Sequence, residues 1–164
     1  MNTKHPIDLK QLEKYFQLHH LEDNFLDNVL GLIPEVEFEV ANSWLLKRYI
    51  EEGNQPPPDM QEKILALLPM VTHWEARLHL LQILPKISIA KAKAAETRMF
   101  LLQLVTEKNK FIRAWAYNGL YHLQTCHPEY KTEVIKLLNS VYLDEAPSVR
   151  SRIRNILGKN EWQA

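Results

Sequence analysis

The sequence predicts an all-α protein, an α-solenoid of about four stacked helical hairpins preceded by one extra helix. Three observations carry the prediction. Apolar residues recur at spacings of three and four through most of the chain. Only four glycines occur in 164 residues, which is sparse for strands joined by tight turns. A pattern of apolar positions around an arginine returns three times, with the arginines at 77, 113 and 150.

Nine helices are expected, at about 8–19, 22–32, 36–52, 59–70, 74–87, 89–107, 110–125, 129–143 and 147–159. The third starts in Glu35-Val36-Glu37-Phe38-Glu39-Val40, the one stretch with strand-like alternation. That stretch is short and runs directly into helical spacing from Ala41 to Ile50. Asn54-Gln55-Pro56-Pro57-Pro58 ends the third helix, because proline lacks an N–H donor and restrains the residue before it. Asp59 offers a side-chain acceptor for the next start. Pro85 should kink or stop the fifth helix, and His127-Pro128 separates the seventh from the eighth. Ala146-Pro147 suits the start of the ninth, where a missing N–H costs little. Short linkers imply antiparallel consecutive helices. Residues 1–164 form one domain in this reading, since the fifty residues before the proline run are too few to bury much alone.

Composition removes several classes of protein. Hydrophobic residues make up 46% and charged residues 24%, enough apolar side chain to exclude a disordered chain. No apolar run approaches the roughly 18–20 residues of a membrane span. The N-terminal MNTKHPIDLKQLEKYF has no apolar core of a signal peptide. Cys126 is the only cysteine, so neither an intrachain disulfide nor a multi-cysteine zinc site can form. These features point to the cytoplasm. His122 and Cys126 share a helix face, but a zinc site would need further ligands and none is evident. Neither a glycine-rich phosphate loop nor a nucleophile elbow occurs. The expectation is a non-enzymatic protein without cofactor or metal.

The repeat aligns without gaps on its arginines. Ala76, Ile112 and Val149 precede them; Leu80, Ala116 and Ile153 follow three later; Leu84, Leu120 and Leu157 follow seven later. Upstream, Leu65, Leu101 and Leu138 stand twelve before. Each unit is a helix, a turn and a second helix, at about 59–88, 89–125 and 128–160. A degenerate unit covers about 21–53, behind the extra helix at 8–19. One helix pair cannot bury its apolar stripe alone, so neighbours must stack.

Asp144-Glu145-Ala146-Pro147-Ser148-Val149-Arg150, running on to Leu157-Gly158, resembles a unit of the HEAT-like helical repeats of the ARM/HEAT superfamily. The resemblance implies a right-handed superhelix. It also implies a ladder between adjacent repeats, drawn from Arg77, Arg113 and Arg150 with Glu107 and Asp144. Val71 stands where the unit of Arg77 should carry its acid, so the ladder is expected to be interrupted there.

In that register the second helices line the concave surface. Positions two, five and nine after each arginine point away from the buried stripe. They hold His79, Trp115 and Arg152; Gln82, Asn118 and Asn155; Lys86, His122 and Lys159. An exposed Trp115 among amides and cations would anchor a protein or peptide partner. The competing reading is an ordinary solvated face, with Trp115 folded against Tyr117 or Tyr121.

The zero net charge hides a division: residues 1–82 carry seven Lys/Arg and thirteen Asp/Glu, and residues 83–164 the reverse. Tyr15 to Leu46 contains no Lys or Arg, and Ala146 to Asn160 no acid. The first expectation is a protein-binding scaffold. The alternative is nucleic-acid binding by the basic half. Self-association of the acidic half with the basic half is a third. Within the same fold class, HEAT-like alkylpurine DNA glycosylases use an Asp and aromatic residues on the concave face. Here no carboxylate occupies the three concave positions.

Overall fold

The computed structural model describes residues 8–158, all-α with nine α-helices and no strand among them. The helices are α1 (Leu9–His19), α2 (Phe25–Leu32), α3 (Glu39–Glu51), α4 (Pro58–Leu67), α5 (Trp74–Ile83), α6 (Lys91–Leu104), α7 (Lys110–Cys126), α8 (Lys131–Val141) and α9 (Pro147–Leu157). No helix among the described residues is long and apolar enough to cross a membrane.

Local chemistry sets the ends. Asp8 caps α1 by accepting from the Lys10 and Gln11 amides, and Asn109 caps α7 by accepting from Phe111 N–H at 2.9 Å. Proline opens both α4 and α9, where its missing donor is tolerated. Asp59 therefore sits inside the first turn of α4 rather than capping it. Pro85 does not kink α5. The helix stops at Ile83 and tightens into a single 3-10 turn, Leu84–Lys86. The sixth helix also starts later than expected. Ile87 is extended (φ −120°, ψ 154°), and Ile87 and Ile89 reach the core from the linker before α6. Their burial gives the linker an apolar pattern that reads as helix in sequence. Residues 33–38 form turns, so α3 begins at Glu39.

Helix α3 packs against α5, α5 against α7 and α7 against α9, and α1 packs against α3. Both ends of α5 meet the corresponding ends of α7: Arg77 reaches Glu107 near the starts, and His122 reaches Ile87 near the finishes. The two helices therefore run in the same direction. Helices α2, α6 and α8 pack against members of this row, and α4 against α6. Lys63 of α4 reaches Asp27 of α2 at 3.3 Å, and Arg98 of α6 pairs with Glu133 of α8.

The buried side chains form one continuous cluster from Phe16 to Leu157. Leu80, Ala116, Ile153, Leu84, Leu120 and Leu157 are all buried, as the alignment on the arginines requires. Gly119 stands where the neighbouring units have Ile83 and Ile156. A Cβ there would meet methyl groups of Leu84 and Leu101 at 3.0 Å, so the two leucines already fill that volume.

Candidate binding face

The row α5–α7–α9 sets the geometry of the predicted face. Trp115 of α7 and Arg152 of α9 are adjacent, the guanidinium carbon lying 4.0 Å from the indole centroid. This is cation–π geometry. It makes Trp115 half-buried rather than exposed, because the next helix supplies a lid. Arg152 is half-buried and has no carboxylate partner among the described residues. Asn118 is half-buried and Asn155 exposed on the same two helices.

The histidines assigned to the face are engaged elsewhere. His79 Nδ1 lies 3.0 Å from Ser43 Oγ on α3. Burial, then the charges of Lys47 and His73, pull its pKa down to about 4. Its ring is neutral at ordinary pH. His122 donates from Nε2 to the Ile87 carbonyl at 2.8 Å, and burial lowers its pKa against that bond. The same nitrogen lies 3.5 Å from Cys126 Sγ. No group of three or more His, Cys, Asp or Glu side chains among the described residues could hold a metal ion. Gln82 is half-buried on α5 and Lys86 exposed in the 3-10 turn after it, while Lys159 lies outside the described residues.

The predicted arginine ladder lies along the starts of the same helices. Arg77 donates to the Val71 carbonyl at 2.9 Å and lies 3.7 Å from Glu107. Arg113 makes the same backbone bond six residues back, to Glu107, so the carbonyl contact does not depend on an acid at that position, and Glu107 is the acid beside Arg77. Arg77 Nε is buried without a hydrogen-bond partner. Arg113 donates to the Glu107 and Lys108 carbonyls and, through Nε and Nη2, to the Glu145 carboxylate. Glu145 therefore takes the place expected for Asp144. Asp144 ends a 3-10 turn and is exposed, whereas extended backbone at Glu145 aims its longer side chain at Arg113. Arg150 is half-buried with no ion pair among the described residues.

Tyr117 completes this cluster by donating to Glu145 Oε1 at 3.0 Å. Burial, then the adjacent carboxylate, raises the phenol pKa. Burial also opposes ionisation of Glu145, but bonds from Arg113 and Tyr117 outweigh it and hold its pKa below the usual range. A cleft of about 430 Å³ opens beside Arg113, Tyr117 and Glu145.

Sequence reasoning missed Glu39. Its carboxylate is 1% exposed and accepts from Thr72 N–H, Thr72 Oγ1 and His73 N–H. It ties the start of α3 to the turn before α5. The only available signal was an acid inside an apolar helical pattern, and neighbouring acids in the same stretch concealed it.

Compared with protein-family models, curated proteins and solved structures, the chain matches none.

Proposed function

We propose that this protein is a non-enzymatic scaffold of HEAT-like repeats that binds a protein or peptide on the face formed by α5, α7 and α9. The carrying observation is the Trp115–Arg152 pair, 37 residues apart in sequence and stacked at 4.0 Å. Equivalent positions of successive units meet there, as a repeat array requires. Separations of the same size support the array reading elsewhere: Ser43–His79 spans 36 residues, Arg98–Glu133 spans 35 and His122–Ile87 spans 35.

The pair also has the chemistry of an anchor. An aromatic surface is held flat by a guanidinium whose N–H edge is free of internal acids, with Asn118 and Asn155 beside it. A partner bringing an apolar group and an acceptor would replace solvent there without breaking an internal ion pair. Helix ties at His79, His122 and Arg113 keep the face rigid, which lowers the entropy lost on binding.

The test is affinity capture from the source cell with wild type and Trp115→Ala in parallel. Partner recovery should fall roughly tenfold or more while the melting midpoint falls only modestly, since Trp115 is half-buried at the edge of the core. A large fall in stability with capture intact would make Trp115 a core residue and remove the face.

A further inference from the structure

A second surface lies on the edge where α3 and α5 begin. Glu39 draws the two helix starts together through Thr72 and His73. Phe38 immediately precedes Glu39, and Trp74 immediately follows His73, so the clamp places both aromatics on one edge. Each is 45% exposed. Val36 and Met70, in the same two turns, are 71% and 54% exposed. Four large apolar side chains therefore face solvent around a buried carboxylate clamp. Core packing does not require that exposure, and such clusters mark interaction sites.

Acids predominate around the cluster; the one arginine at this edge, Arg77, is turned to the Val71 carbonyl and to Glu107. Glu35 and Glu37 alternate with Val36 and Phe38 and are exposed, with no cationic partner among the described residues. Glu75 follows Trp74, with only His73 near it at 3.8 Å. No Lys or Arg occurs from Tyr15 to Leu46. The edge continues to Phe111 at the start of α7, but there the chain's own Lys110 lies 5.5 Å from the ring centroid. The third aromatic already carries a cation over its ring, whereas no cation of the described residues stacks on Phe38 or Trp74.

We infer that the edge of Val36, Phe38, Met70 and Trp74 binds a Lys/Arg-bearing amphipathic segment of another protein. Apolar side chains of the segment would cover Phe38 and Trp74. Its cations would lie over the rings and against Glu35, Glu37 and Glu75. Anionic surfaces, nucleic acid among them, are repelled by the same acids. Because Glu39 fixes both turns before any ligand arrives, little ordering is left to do on binding. The inference does not depend on the role of Trp115.

The test uses the full chain and two synthetic amphipathic helical peptides, one of leucine and lysine and one of leucine and glutamate. Tryptophan emission and calorimetry report binding. The lysine peptide should bind in a salt-sensitive way and the glutamate peptide should not. Trp74→Ala, and separately the pair Glu35→Gln with Glu37→Gln, should each weaken binding about fivefold or more. Trp115→Ala should leave it unchanged. The glutamine pair alters only exposed carboxylates, so it decides the matter even if Trp74→Ala unfolds. Equal binding of both peptides, or unchanged affinity in the glutamine pair, would overturn the inference. Adhesion to phosphatidylcholine vesicles that depends on Trp74, without preference for the lysine peptide, would overturn it in favour of a lipid surface.

Discussion

The α3–α5 junction and the α7–α9 junction perform one task with opposite chemistry. Each ties the start of one helix to the turn before the next. At α3–α5 the tie is a buried carboxylate, Glu39, accepting backbone and hydroxyl donors. At α7–α9 it is a guanidinium, Arg113, donating to Glu145 and to backbone carbonyls. The second pair of links differs likewise: neutral Ser43–His79 in one, cationic Arg152 on Trp115 in the other. The geometry is kept while the sign of the charge is exchanged. The arginine pattern at 77, 113 and 150 therefore has no counterpart at the α3 end, where an acid makes the tie.

The largest expected effects test whether the two junctions share one core. Leu46 lies beneath the first and Leu120 beneath the second, both essentially inaccessible. Leu46→Ala and Leu120→Ala should each cost roughly 2–5 kcal/mol through lost burial and a cavity. Both should move a single cooperative denaturation transition. A cost below about half a kcal/mol for Leu120→Ala would break the repeat alignment, and two separate transitions would divide the regions.

Acid should strain the first junction before the second. In the unfolded chain His79 takes a proton near pH 6.5, and in the fold only at about 4. Between those values the unfolded state binds more protons, so stability is full above 6.5 and falls as pH drops toward 4. The difference amounts to about 3 kcal/mol at most. His122 acts in the same direction at its own helix tie. Glu145, with its lowered pKa, holds the second junction until the pH falls below the usual carboxylate range. Urea denaturation from pH 7 to 4 should show the loss, and His79→Gln should flatten it. A flat profile in the wild type would show that His79 is not buried against α3.

The ties themselves come next. Glu39→Ala leaves two amides and a hydroxyl without their acceptor and should cost about 2–3 kcal/mol. Arg113→Ala acts at a more accessible site and should cost about 1 kcal/mol. Equal costs would mean that the buried carboxylate has no special part in holding α3 to α5.

The smallest effect concerns the basic half. A scaffold reading expects no binding of labelled duplex or single-stranded oligonucleotides by micromolar protein at low salt. Binding that falls steeply with added salt would revive the nucleic-acid alternative and give Arg152 and Arg154 a phosphate role.

Apolar spacing, sparse glycine and proline breaks were sufficient, without coordinates, to place the nine helices of the described residues and the buried positions of α5, α7 and α9. That legibility has a physical cause. Helical periodicity and proline's missing donor act within a few residues, so they are written locally. The positions aligned on Arg77, Arg113 and Arg150 were legible for the same reason. What tertiary structure alone decided was the state of the polar residues on those helices. Trp115 acquires a lid, His79 and His122 become neutral ties, and Glu145 displaces Asp144 as the partner of Arg113. Glu39 becomes a buried clamp, although an exposed Glu37 stands two residues away. Each outcome depends on which donor or acceptor arrives from a helix, turn or linker about 32–37 residues distant. A single helix pattern fixes which face a residue lies on, but its charge state and its partner are set by what is packed against that face.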